Sequence, residues 1–448
     1  MARREHFGSH KTAIMAMAGA AIGLGNLWRF PYMVGQNGGA AFIIIYLFCI
    51  VFLSLPIFLT ESIIGRNTQS NTFGAMKKLA PGTKWSWLAL LTVISPLIIL
   101  SFYSVVGGWS IDFFLDSVKN GFGDDVQTRF GSFISSVWGP LVCHTVFLLL
   151  TAGIVCAGVK SGIERFNKIS LPLLFVLIVI IAVYSLMLPG ADAGVRYLVK
   201  PDFSQISPKV FAYAMGQSFF SLSLGVGTVL TYSSYMKKED DILRTGFGTG
   251  IFDLLFALIA GFAIMPAVFS AGIKPDAGPA LIFETLPYIF SRISVAAPFL
   301  SRAVSILFFL TVVVAALTSS ISMYEVGVAY LVEEKKLPRS KAVIRIFIFA
   351  WTLGMLCSLS FGPLSGVKLL GKSIFDFCDA LTSNFLMTFG AMLFAIFVGW
   401  KMDRESARDE FTNGGSLKGN ARLFDVVYFV IRYIAPPAIL AIFIGNFL

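Results

Sequence analysis

The residues that could do chemistry begin inside the first apolar segment, at Gly19 to Pro31, reading GAAIGLGNLWRFP. Gly19, Gly23 and Gly25 interrupt what would otherwise be a continuous membrane helix, and Asn26, Arg29 and Pro31 follow them. Glycine is poor helix stock, and an amide or guanidinium in lipid is costly. Backbone that leaves the helix at membrane depth survives only where it lines a polar cavity. The stretch therefore points to a binding site built from freed backbone groups near the bilayer middle. A second interruption, SFFSLSLGVGTVLTYSSY, carries Ser221, Ser223, Gly225 and Gly227. Small residues also mark close packing between membrane helices. Two such breaks five spans apart point instead to inverted repeats with a site at their interface.

The elements that must position these residues are membrane helices. The chain has 448 residues, 56% hydrophobic and 13% charged, with a mean hydropathy of +0.79. Soluble chains carry roughly a quarter charged residues. Apolar run lengths predict eleven spans, at about 12–36, 40–65, 86–118, 138–158, 166–188, 208–236, 242–270, 297–332, 341–359, 374–399 and 422–447. Those at 86–118 and 297–332 exceed the ~20 residues needed to cross and should be tilted. Residues 119–137 read as a polar loop. Residues 271–296, with Pro275, Pro279 and Pro287, suggest short re-entrant or lid helices.

Most of the 35 Lys and Arg residues fall in one alternate set of loops. By the positive-inside rule this places the N-terminus in the cytoplasm and the C-terminus outside. The net charge of +10 is thus explained by loop asymmetry rather than by nucleic acid. The apolar stretch after the short basic N-terminus is too long and too polar-interrupted for a cleaved signal peptide. Cys49, Cys143, Cys156, Cys357 and Cys378 show no metal spacing, and His6, His10 and His144 are scattered. Neither a disulfide framework nor a metal centre is supported.

GAAIGLGNLWRFPY, followed by NGGAAF and LPIFLTESIIGR (55–66), resembles the neurotransmitter:sodium symporters and their bacterial, LeuT-like amino-acid-transporting relatives. GQSFFSLSLGVG (216–227) and AALTSS (315–320) are similar to the sixth and eighth helices of that family. The resemblance runs nearly the whole chain. It implies an all-α membrane protein with a five-plus-five inverted repeat in a single transporter domain spanning 1–448. The repeats would cover about 12–188 and 208–399, with an additional helix at about 422–447. Such a protein carries an organic solute into the cell on a sodium gradient and is not an enzyme.

Amine-carrying members of the family have an aspartate where this chain has Gly23. The glycine implies a substrate that brings its own carboxylate, as an amino acid does. Freed N–H groups and the positive end of the half-helix starting near Gly23 to Gly25 would receive that carboxylate. Tyr103, six residues before Trp109, matches the family tyrosine that binds it, although a packed tyrosine would look the same. The resemblance assigns Ala21, Gly23, Leu24, Gly25, Tyr103, Ser221 and Ser319 to the substrate. Its side chain would meet Ile99, Phe220, Ser223, Val226 and Met323. That pocket is mostly apolar, with room for a bulky or aromatic group, but core packing uses the same residue types.

Sodium is a hard cation and takes oxygen ligands. By resemblance, one sodium site comprises Ala21, Asn26, Ser221 and Asp253 with the substrate carboxylate. A second comprises Gly19, Ile22, Ala315, Thr318 and Ser319. Taken alone, Thr318-Ser319-Ser320 also fits hydroxyls bonded back to their own helix. Asp253 departs from the family's usual asparagine. Some bacterial relatives place a glutamate one turn on, where this chain has Ala257. Asp253 therefore implies that chloride is not needed, and it either returns a proton outward or serves as a fixed sodium ligand.

Arg29 matches the arginine that closes the outer path with an acid, here Asp376, above the aromatic lid Phe220; snorkelling is its alternative. On the inside, Arg4, Phe7, Tyr235 and Glu333 stand where relatives latch the N-terminus, with Phe7 and Glu333 replacing the usual Trp and Asp. Glu61 is placed to brace the broken helices. Gly162 and Pro172 mark a point of the fifth span that either unwinds toward the second sodium site or is a static kink. An ion channel, a membrane enzyme and a transporter-fold sensor are rival readings, as is a symporter of another small zwitterion. Paired breaks within one chain disfavour a channel, no enzyme motif is present, and flux separates a symporter from a sensor.

Overall fold

Ser9 starts the first helix by accepting a bond from the Thr12 N–H, and the Thr12 hydroxyl receives the Ser9 N–H in return. In the computed structural model, which describes residues 5–119, 121–123, 125–272 and 281–445, this helix runs His10–Ala21. Ile22 then turns extended (φ −72°, ψ 112°). Helical structure resumes at Gly25–Gln36, bent by 52° from the first half. The glycines and Asn26 thus lie at or beside a real break.

The following spans are Ala40–Thr68, Trp85–Lys119, Trp138–Cys156, Val159–Leu186, Ile242–Ser270, Pro298–Glu334, Arg339–Leu359, Ile374–Lys401 and Asn420–Ala441. Among the described residues these are nine helices long and apolar enough to cross a membrane, or ten with the bent pair. The remaining expected span is the sixth in order, and it is split into Pro208–Ser221 and Thr228–Ser233. At about 1.5 Å per residue neither half crosses ~30 Å of hydrocarbon alone.

Two stretches differ from the sequence reading. The 119–137 stretch holds a helix at Val126–Ser135, with Val126 and Phe130 buried four residues apart on one face. The fifth span begins at Val159 rather than near 166, with a π-helical first turn at Val159–Glu164. Beyond the seventh span, Leu281–Thr285 and Leu286–Ala296 are helical; Pro275 and Pro279 lie outside the described residues.

The interior is unusually polar and the exterior apolar. Asn26, Glu61, Asn167, Gln217, Ser221, Asp253, Thr318 and Glu325 are buried, while Phe52, Leu149, Val176, Val183 and Ile251 are exposed. That inversion suits a chain whose outer solvent is lipid and whose polar groups face one another.

Candidate functional site

The break in the sixth span is set by backbone geometry. Ser223, Gly225 and Gly227 have positive φ (53°, 76° and 68°), a region that glycine enters without steric cost. A Cβ on Gly225 would run into the Met387 carbonyl of the tenth span. The break is braced by Glu61 of the second span, fully buried. Its Oε1 accepts from the Gly225 N–H at 2.7 Å and its Oε2 from the Leu230 N–H at 3.3 Å. One carboxylate thereby satisfies a donor inside the gap and one in the first turn after it, which water would otherwise have to do.

Opposite this break, the first span contributes a cluster of oxygens. Asn26 Nδ2 donates to Asp253 Oδ1 at 2.7 Å and to Ser221 Oγ at 3.1 Å. Ser221 Oγ in turn reaches both Asp253 carboxylate oxygens at 2.9 and 2.8 Å. Asn26 Oδ1 accepts from the Gly23 N–H at 3.1 Å. All three side chains are buried. Ala21, the last residue of the first half-helix, is also buried and lines the adjoining cavity.

A second cluster lies where the first span meets the eighth. The Thr318 hydroxyl reaches the Ile22 carbonyl at 2.9 Å and the Ala315 carbonyl at 2.8 Å. The Ser319 hydroxyl reaches the same Ile22 carbonyl at 3.3 Å. Ser320, by contrast, bonds back to Ala316 in its own helix. Gly19 sits one turn earlier and faces Asn167 of the fifth span.

Next to these clusters is a cavity lined by Ala21, Gly23, Gly25, Ile99, Tyr103, Phe220, Ser223, Val226, Ser319 and Met323. Met387 also lines it and was missed by sequence reading, because nothing in an apolar tenth span singles it out. The Leu24 N–H donates to the Tyr103 hydroxyl at 3.0 Å. A Cβ on Gly23 would meet Ser319 Oγ and come within 2.9 Å of Tyr103 Oη. There is no room for a side chain at position 23 without moving the tyrosine or the serine.

Above the cavity, the Arg29 guanidinium lies over the Phe220 ring, 4.5 Å from its centre. Asp376 accepts from the Ser373 hydroxyl at 2.7 Å, and no Arg29–Asp376 ion pair forms among the described residues. A chamber of ≈ 280 Å³ separates these groups, walled by Trp28, Tyr32, Phe102, Trp109 and Phe375.

At the opposite end, Phe7 is buried against Tyr232 and Tyr235, with ring centres 5.9 and 6.1 Å away, and its N–H donates to the Tyr235 carbonyl at 3.0 Å. Glu5 accepts from the Val159 and Lys160 N–H groups at 2.6 and 3.3 Å, capping the fifth span. Gly8 N–H donates to Glu164 at 2.8 Å. Tyr235 donates to Glu325 at 2.7 Å, and Arg339 pairs with the same carboxylate. Glu333 accepts from the backbone and side chain of Asn71 at 2.8 and 2.9 Å. Arg4 lies outside the described residues. Glu5, Glu164, Glu325 and Arg339 were not singled out from sequence. Glu325 carried a signal, an acid inside the apolar run of the eighth span, of the same kind as Asp253.

Gly162 lies in the π-helical first turn of the fifth span, where a Cβ would strike the Ile154 carbonyl. Pro172 lies inside the helix that follows.

Comparison with known proteins gives a consistent result. The family model described as the Sodium:neurotransmitter symporter family matches residues 4–124 and 133–448. The chain is 37% identical to YhdH of Bacillus subtilis (strain 168), described as an uncharacterized sodium-dependent transporter, over 96% of this chain and 95% of that one. It is 33% identical to a sodium-dependent transporter of Haemophilus influenzae, over 99% and 98% of the two chains. Among solved structures, MhsT in complex with L-phenylalanine is similar with a TM-score of 0.91 and 39% identity, covering 99% of this chain and all of that one.

Proposed function

The chain belongs to the sodium:neurotransmitter symporter family, and from that premise we propose that it carries hydrophobic amino acids, bulky or aromatic ones among them, into the cell by alternating access. It is a multi-pass membrane protein that uses sodium. Two sodium ions accompany each substrate, chloride is not required, and the N-terminus faces the cytoplasm.

The observation that carries this reading is a pair of oxygen clusters flanking one small cavity. Asn26, Ser221 and Asp253 lie on one side, and Ile22, Ala315, Thr318 and Ser319 on the other. Both are built from carbonyl, hydroxyl, amide and carboxylate oxygens, the donors a hard cation takes. Asp253 brings the negative charge that would otherwise come from a bound anion, and it sits where it can offset a cation in a low-dielectric interior. A substrate carboxylate would lie near Gly25, where it would take over the Leu24 N–H that now donates to the Tyr103 hydroxyl and accept from that hydroxyl in turn. The apolar remainder of the cavity then receives the side chain, and the similar structure that holds L-phenylalanine supports an aromatic one.

On this reading Arg29, Phe220 and Asp376 close the outer path. The N-terminal segment, Tyr235 and Glu325 close the inner one, and the Gly162–Pro172 segment opens toward the second site. The test is uptake of a panel of radiolabelled amino acids into proteoliposomes, with sodium, potassium and chloride varied independently. Sodium-dependent accumulation of bulky apolar amino acids that ignores chloride is expected. Uptake that collapses without chloride would overturn the role given to Asp253. The absence of any sodium-dependent amino acid uptake would overturn the substrate class.

A further inference from the structure

Asn167 sits in the fifth span between Gly162 and Pro172, and it is fully buried. Its neighbours along the buried face are Ile163, Ser170, Leu171 and Leu174, apolar but for the one hydroxyl. The amide Nδ2 donates to the Ile163 carbonyl one turn back at 3.0 Å. That bond fixes the amide's orientation, because the reverse arrangement would set two acceptor oxygens against each other. Oδ1 is thereby turned away from its own helix, and among the described residues it finds no donor.

What Oδ1 faces is Gly19. It fills the place where a Cβ on Gly19 would be, and such a Cβ would also come within 2.8 Å of Asn167 Cγ. Gly19 is one turn before Ile22, whose carbonyl already meets Thr318 and Ser319. In an unbroken helix the Gly23 N–H would bond to the Gly19 carbonyl; here it donates to Asn26 Oδ1 instead. The break therefore takes the helical donor from the Gly19 carbonyl, on the same residue whose Cα the Asn167 amide oxygen faces. A buried acceptor without a donor is costly to keep, and a hard cation is a natural partner for it.

We propose that Asn167 supplies a further sodium-coordinating oxygen beside Gly19, on the inner side of the second sodium site. This rests on the sodium-coupled reading above and extends it. It gives the fifth span, the segment that the Gly162–Pro172 hinge moves, a direct hold on the ion. When that segment shifts, an oxygen ligand goes with it, so opening of the inner path and loosening of sodium become one event.

The test is equilibrium binding of radiolabelled sodium to the purified full-length protein in detergent, comparing the parent with Asn167→Ala, Asn167→Asp and, as a benchmark for the second site, Thr318→Ala. Asn167→Ala is expected to raise the half-saturating sodium concentration about tenfold, the loss of one ligand worth about 1.4 kcal/mol. Asn167→Asp keeps an oxygen in place and is expected to bind at least as tightly as the parent. A structural role alone would weaken both variants alike, so equal weakening overturns the proposal, as does unchanged binding by Asn167→Ala. If the parent binds sodium and Asn167→Ala matches it, only this proposal falls. If the parent binds no sodium, the sodium-coupled reading falls with it.

Discussion

At the N-terminal end of the path, Phe7 is packed under two tyrosines, Glu5 caps the fifth span, and Tyr235, Glu325 and Arg339 are bonded in series. At the other end, one guanidinium lies over one ring, and Asp376 bonds its neighbour Ser373 across a chamber from Arg29. The first closure is made by the protein with itself. The second lacks its ion pair and leaves a roomy approach to the cavity. The difference teaches where the driving force for transport has to act. On the proposed reading, binding completes an outer gate that needs little and releases an inner one that holds many contacts. A ligand shifts such an equilibrium only by its differential affinity for the two states.

The comparison can be broken most strongly at Phe7. Truncating a buried aromatic costs roughly 3–5 kcal/mol, and here that cost falls on the latched state. Phe7→Ala is expected to move the protein toward the inner-open state, measured as faster labelling of a cysteine at Thr231 by an impermeant maleimide from the inner side. Next in size is Glu325→Gln. Removing one partner of a buried ion pair costs about 3–5 kcal/mol, but the amide retains a bond from Tyr235, so the shift in labelling is smaller than for Phe7→Ala. At the outer gate, Asp376→Asn is expected to leave substrate affinity within about threefold, since no ion pair is lost, and to slow turnover through a gate that closes poorly. Comparing equilibrium binding with uptake separates these two effects. The smallest change is expected from Arg29→Lys, which keeps the charge and weakens the stacking on Phe220 by about 0.5–1 kcal/mol. Substrate off-rates from the loaded protein read it. If the two outer variants shift cysteine labelling as far as Phe7→Ala does, the asymmetry between the ends is not real.

Much of this architecture is legible in the sequence because lipid penalises what the chain nevertheless contains. Glycine clusters and a lone Asp253 in apolar runs have few explanations, so the breaks and the residues around them stand out. Asn26, Ser221 and Asp253, far apart in sequence, meet within hydrogen-bond distance. The break expected in the sixth span from Ser221, Ser223, Gly225 and Gly227 lies where those residues stand, between Pro208–Ser221 and Thr228–Ser233. The helix at Val126–Ser135 was passed over although Val126, Phe130, Phe133 and Ile134 stand at helical spacing, because the Gly and Asp residues before it and Gly131 within it read as a loop. Side-chain partners were the least legible. Tyr235 bonds Glu325, 90 residues away, and Glu333 bonds Asn71. Such pairings depend on how spans turn against one another, which local pattern does not encode. Asn167 escaped notice for a related reason: an asparagine near a helix start is ordinary until the glycine facing it is known.

The central claim, that sodium and an amino acid move together, is tested most directly by measuring both fluxes at once. Radiolabelled sodium and L-phenylalanine influx would be followed in the same proteoliposomes under an imposed inward sodium gradient, without chloride. The account predicts that phenylalanine accumulates above equilibrium, that two sodium ions enter with each molecule, and that both fluxes stop when the gradient is collapsed. Phenylalanine influx that equilibrates without a gradient, or sodium influx indifferent to phenylalanine, would contradict it.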